Sequence, residues 1–181
     1  MTTTNPLLLG ALAGIAGTFA MTAAARAMHR RLPPAEQYPL PPREIIEGVL
    51  PAPAKHVLDE QGRQSATLAA HFGYGAATGA LYALLRPRGT VLPGAAYGLL
   101  VWTVSYFGIM PGLRILRPAD DHPLRRNWLM IVAHLVWGST MATTLRELKL
   151  AQREVFASSI APDRIPRDPR PHDGGMGDRQ L

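Results

Sequence analysis

Two histidines stand where histidine is rarely found. His71 and His134 each lie in a long stretch free of Asp, Glu, Lys and Arg. Each also sits in the same short pattern, Ala-His-x-x-aromatic-Gly: Ala70-His71-Phe72-Gly73-Tyr74-Gly75 and Ala133-His134-Leu135-Val136-Trp137-Gly138. Both follow by eight residues an arginine, Arg63 or Arg126, that closes the preceding polar loop. In a helix, eight residues rise about 12 Å, which puts both rings near the middle of a bilayer. An ionisable ring at that depth marks a functional-site hypothesis. The three-residue spacing sets Tyr74 on the face of His71 and Trp137 on the face of His134.

Three kinds of chemistry suit such a pair. Each neutral ring could hydrogen-bond a neighbouring helix, through a Thr hydroxyl or a backbone carbonyl, and so lock the packing. Two imidazoles at one depth could hold a haem iron axially. Or the pair could form a proton relay or transport site, using a near-neutral pKa. No Asp, Glu, Lys or Arg accompanies them inside the spans, which favours the packing role.

The elements that must carry these rings follow from the distribution of charge. Residues 1–25, 65–85, 90–113 and 127–145 contain no Asp, Glu, Lys or Arg. Each window is long enough to cross about 30 Å of hydrocarbon. The sequence therefore predicts an all-α membrane protein, a bundle of four transmembrane helices at about residues 6–25, 65–85, 90–113 and 127–145. Small residues at four-residue spacing (Gly10, Gly14 and Thr18; Gly75 and Gly79; Gly94 and Gly98; with Gly138 in span 4) are expected to form the helix-packing faces, because small side chains let backbones approach closely in lipid. Pro111-Gly112 is expected to end or kink span 3. Met1–Pro6 has no basic residue, so span 1 does not read as a signal peptide, although Ala23-Ala24-Ala25 resembles a cleavage site.

The connections are polar. Loop 1, residues 26–64, is rich in proline, and Arg43–Leu50 reads as a short amphipathic interfacial helix bracketed by Pro42 and Pro51. Arg146 to about Ser158 continues span 4 into water, and residues 151–181 form a polar, largely disordered tail beyond a membrane domain of residues 1–150. Counting basic residues beside the span ends (Arg26, Arg30, Arg31 and Arg63) favours loops 1 and 3 as cytoplasmic. The net charge of +6 is spread over membrane flanks and tail without an aromatic-interleaved basic stripe, which argues against nucleic acid. With no cysteine, thiolate chemistry and thiolate-bound metal are excluded. Asp120-Asp121-His122, beside four arginines, reads as a surface ion network and not as a metal site, and no nucleophile, phosphate-loop or zinc-protease pattern is present.

Spans 2 and 4 align at an offset of 63 through Arg63/Arg126, His71/His134, Tyr74/Trp137 and Gly75/Gly138. Spans 1 and 3 share Gly10-Ala11-x-x-Gly14 and Gly94-Ala95-x-x-Gly98. Two helical hairpins related by a parallel repeat would explain both matches.

Gly14–Thr22, Tyr38-Pro39-Leu40-Pro41-Pro42, His71-x-x-Tyr74-Gly75 and Ala133–Gly138 together resemble the YagU-like group of uncharacterised bacterial multi-pass membrane proteins, over residues 6 to about 150. That resemblance implies the bacterial cytoplasmic (inner) membrane and no particular activity. Trp137 departs from it, standing where tyrosine is expected. The expectation is a non-enzymatic membrane component, structural or partner-binding, with the lipid bilayer as its surroundings, a homo-oligomer or membrane partner, and no catalytic residue, metal or cofactor. The alternative is a small carrier, proton relay or haem b electron-transfer subunit centred on His71 and His134.

Overall fold

The computed structural model describes residues 5–37, 45, 48, 57–85, 91–112 and 124–158. Four long helices carry the chain: α1 (Pro6–His29), α2 (Glu60–Leu84), α3 (Val91–Gly112) and α4 (Leu124–Ser158). Among the described residues there is no strand. The expected tail beyond Ser158, the Asp120-Asp121-His122 cluster and most of the interfacial segment lie outside the described residues; Ile45 and Gly48 within that segment are helical.

Local chemistry sets the helix starts. Asn5 accepts from the Leu7 amide at 2.9 Å with Pro6 at the first helical position, and Asp59 accepts from the Gly62 amide at 2.7 Å. Both are side-chain oxygens occupying otherwise unmet amide donors. α3 is not regular. Pro111 has no amide hydrogen, and its ring would collide with the Phe107 carbonyl of a straight α-helix. The helix answers with a π segment, Val104–Ile109, in which the Met110 amide donates to the Ser105 carbonyl five residues back. The irregularity thus falls one turn before Pro111, and α3 is described as far as Gly112.

Three helices, Pro6–His29, Val91–Gly112 and Leu124–Glu154, are long and apolar enough to cross a membrane. The fourth expected span is not among them. α2 matches in length, but Ser65, Thr67, His71, Tyr74, Thr78, Tyr82 and four glycines dilute its hydrophobicity. Outward-facing side chains are those of a lipid-exposed surface: Leu8 is 53 % exposed, Phe19 64 %, Leu84 53 %, Leu92 80 % and Leu100 55 %. The buried core is instead built from small residues, methionines and aromatics such as Ala13, Ala133, Met141, Tyr82 and Trp137.

α1 packs along α2 on one side and α4 on the other, and α4 packs along α3. The order across the bundle is therefore α2-α1-α4-α3. Glycines make the crossings. A Cβ on Gly14 would strike the Gly75 carbonyl, and one on Gly79 the Gly10 carbonyl. Gly138 and Gly94 block each other's carbonyls in the same way, and Gly98 lies against the His134 carbonyl. All seven stripe glycines thus face partners inside the chain. The two hairpins are alike but not superposable in register. Gly14 meets Gly75 and Gly94 meets Gly138, so the contacts pair Gly14 with Gly94, one helical turn from the sequence match of Gly10 with Gly94.

A parallel two-fold repeat would also make α2·α3 equivalent to α1·α4. It is not. α1 and α4 are in close contact, Gly17 lying against the Trp137 carbonyl, whereas α2 and α3 barely approach and are bridged by tyrosines. Tyr74 shares a hydrogen bond with Ser105 (2.9 Å), and Tyr97 donates to the Thr78 carbonyl (2.9 Å). The gap between these outer helices is where the candidate site lies.

Candidate functional site: an intramembrane chamber

The space between α2 and α3, floored by α1 and α4, is a chamber of about 240 Å³. All four side chains singled out in the sequence line it: His71 and Tyr74 from α2, His134 and Trp137 from α4. Thr18 and Met21 come from α1, and Val101, Ser105, Tyr106 and Met110 from α3. Ser105 and Tyr106 come from the π segment of α3, and such segments recur at functional sites. Ile45, from loop 1, also reaches it. The lining residues of α1, α4 and most of α3 fall toward loops 1 and 3, whereas those of α2, Ala70 to Thr78, straddle its middle. Glu36 of loop 1 pairs with Arg125 at the head of α4 (3.6 Å) on that side.

The two histidines are held differently. Nδ1 of His134 lies 2.8 Å from the Met130 carbonyl, one turn back on its own helix. A carbonyl only accepts, so Nδ1 carries the proton and the neutral ring keeps its lone pair on Nε2. His71 reaches another helix, with Nε2 at 3.2 Å from Thr22 Oγ1. The Thr22 hydroxyl already donates to the Thr18 carbonyl at 2.7 Å. Its single proton is committed there, so His71 Nε2 donates to Thr22 and the lone pair rests on Nδ1. Neither ring has a second hydrogen bond among the described residues. Each ring therefore keeps one unengaged lone pair, and both residues line the chamber.

The aromatic partners also diverge. Trp137 is 3 % exposed, and its indole N–H is shared between the Gly14 carbonyl (3.3 Å) and Thr18 Oγ1 (3.2 Å) across the α1–α4 seam. Tyr74 is 45 % exposed at the rim, tied to Ser105. One copy of the pattern is thus at the centre of the bundle and the other on an outer helix. Thr18 was legible only as a small residue in a stripe; its hydroxyl donates to Gly14 and receives from Trp137. Thr22 and Met21 were likewise legible only as members of the packing rows of span 1, and Ser105, Met110 and Met130 escaped a reading built on repeated motifs. Counting depth from the span ends would have found them, since Met21 and Met130 lie within five residues of Arg26 and Arg126.

Residues 22–143 match the family described as Protein of unknown function (DUF1440). That is about two thirds of the chain, from the middle of α1 into α4. The chain belongs to this family. The matched region contains Thr22, His71, Tyr74, Ser105, His134 and Trp137, and with them most of the chamber wall. No curated protein and no solved structure matches the chain. Membership of DUF1440 thus carries no activity with it, and the chemistry must be argued from the chamber.

Among the described residues no three His, Cys, Asp or Glu side chains gather as a metal site. Several hydroxyls lining the chamber are engaged. Thr18 donates to Gly14, Thr78 to the Tyr74 and Gly75 carbonyls, and Tyr74 and Ser105 are hydrogen-bonded to each other. In an otherwise largely apolar wall, the two imidazoles are the groups with an unengaged lone pair and no proton on it.

Proposed function

We propose that the chain is a four-span, non-enzymatic protein of the bacterial cytoplasmic membrane that binds a small ligand inside the bilayer. The observation that carries this reading is that His71, His134, Tyr74 and Trp137 line one chamber. Binding is favoured over catalysis because Thr18, Thr78, Tyr74 and Ser105 are engaged with carbonyls or with one another, and neither imidazole is hydrogen-bonded to any of them: His71 bonds Thr22 and His134 the Met130 carbonyl. α2 is read as the fourth span because it packs along α1, is free of charged residues over 65–85, and carries exposed leucines such as Leu68 and Leu81. Loops 1 and 3 are placed in the cytoplasm, which puts the chamber in the cytoplasmic half of the bilayer. Its volume is below the roughly 300–1,000 Å³ typical of drug-sized ligand pockets, which favours a guest smaller than a porphyrin. The YagU-like resemblance agrees with the location.

The absence of native cysteine gives a direct test. Single replacements Ala70→Cys and Ser105→Cys, on the chamber wall, should react with a small membrane-permeant thiol reagent in intact membranes. Ala133→Cys, at a position with no exposed surface, should stay protected. Equal protection of all three positions contradicts an open chamber.

A further inference from the structure

Three of the chamber-lining residues are methionines, and they come from three helices: Met21 from α1, Met110 from α3 and Met130 from α4. With His71 on α2 and His134 on α4, every helix of the bundle supplies a thioether or an imidazole to the same cavity. Met21 and Met130 are buried, at 9 % and 6 % exposure. We propose that this chamber is a soft-metal site that takes a Cu(I) ion on three or four of the neutral donors in its wall, drawn from the imidazoles of His71 and His134 and the thioethers of Met21, Met110 and Met130. The proposal rests on the chamber being an open binding site, as argued above.

Ligand softness points to the ion. Thioethers select Cu(I) among biological metals, and imidazole suits copper as well. Hard cations such as Mg²⁺ and Ca²⁺ want several oxygen ligands, carboxylates foremost, and among the described residues no carboxylate lines this cavity. Zinc in proteins is held by thiolate, imidazole and carboxylate, of which only the two imidazoles are offered. Charge points the same way. The whole ligand set is neutral, so the ion's charge is not compensated, and the cost of moving an ion into a low-dielectric medium grows with the square of its charge. A monovalent ion is the one such a wall can hold.

The histidines are already held as metal-bound histidines are. A ligating imidazole donates its other ring N–H to a carbonyl or another fixed group, which sets the tautomer and aims the lone pair. His134 does this through Met130, whose backbone carbonyl takes the proton while its thioether lines the chamber. His71 does it through Thr22. Thr22 is thereby a positioning residue: it touches the ring nitrogen that does not face the ion.

The test uses the untagged full-length protein in detergent, titrated with Cu(I) under nitrogen against a chromophoric Cu(I) chelator. The expected result is a single Cu(I) per chain, with X-ray absorption showing both nitrogen and sulfur neighbours. Met21→Leu/Met110→Leu/Met130→Leu should lose the sulfur scattering and weaken binding about tenfold or more, and Thr22→Val should weaken it by about 10- to 100-fold while leaving the sulfur signal in place. If the triple variant does not fold, Met110→Leu alone, at a partly exposed position, should show the reduced sulfur scattering. A wild-type protein that does not compete for Cu(I), or variants with unchanged affinity and scattering, overturn the proposal. Thiol labelling at residues 70 and 105 separates the two failures. Reactive cysteines without Cu(I) binding remove the metal and leave the chamber, while protected cysteines remove both.

Discussion

Gly14→Ala is expected to destabilise the bundle by about 1–3 kcal/mol, whereas Gly73→Ala on the facing helix should leave it unchanged or slightly more stable. At Gly14 an added Cβ meets the carbonyl oxygen and carbon of Gly75 and lies 3.1 Å from the Gly79 Cα. These are backbone atoms of a helix and cannot rotate aside, so α1 and α2 must separate. Separation weakens the other glycine contacts along the same seam. Gly73 lies two residues before Gly75 on α2, yet a Cβ there has nothing within 4 Å. The replacement then brings only alanine's better helix propensity, worth up to about 1 kcal/mol. Gly138→Ala should behave like Gly14→Ala at the α3–α4 seam, because its Cβ meets the Gly94 backbone. The measurement is the midpoint of unfolding in mixed micelles as a denaturing detergent is added. Coincident midpoints for Gly14→Ala and Gly73→Ala would contradict the packing.

Trp137→Ala should have the largest effect of any single replacement, about 3–5 kcal/mol. The side chain is 3 % exposed, stacks on Tyr97 with ring centres 6.1 Å apart, and bonds across to α1. Truncation opens a void where α1, α3 and α4 meet and enlarges the chamber beside it. Trp137→Phe isolates the polar part. It keeps much of the volume and deletes the indole donor to Gly14 and Thr18, so the loss should fall to about 0.6–1.7 kcal/mol, the range for hydrogen bonds between membrane helices. The same detergent titration reads both variants. A Phe variant as unstable as the Ala variant would mean that the hydrogen bond, and not the packing, holds the seam.

Much of this arrangement can be read from composition and spacing, and the places where reading stops have physical causes. Charge-free windows locate the four helices, because charged residues are expelled from segments buried in lipid or protein. They do not reveal that α2 is less apolar than its neighbours, since tyrosine, histidine and threonine carry no charge yet lower hydropathy. Small-residue spacing identifies the glycine faces, but not their partners: Gly10, Gly14, Gly94 and Gly98 could have paired in several ways. The pairing depends on the α2-α1-α4-α3 order, a tertiary fact without a local signal. The histidines' similar depth follows from their shared distance to Arg63 and Arg126; that they line one chamber does not, because it depends on how α2 and α4 are arranged around α1. Their different supports do not follow, because Thr22 and Met130 become partners only through helix rotation. The repeat is the instructive case. The same six-residue pattern gives Trp137 a central seam and Tyr74 an exposed rim, since α4 is an inner helix and α2 an outer one. The shared pattern is not matched by equivalent surroundings in space, and the chamber lies where the two halves differ.

That chamber can be tested through the two histidines themselves. In a background free of cysteine, His71→Cys/His134→Cys should be linked within one chain by a bifunctional thiol reagent small enough to enter a space of about 240 Å³. His71→Cys paired with Gly108→Cys, a position on α3 with nothing near its Cβ, should take up reagent at each site without forming the link. The expected result is a monomeric, doubly attached product for residues 71 and 134 alone. Free labelling of both cysteines without the intramolecular link would show that the two rings do not share a chamber.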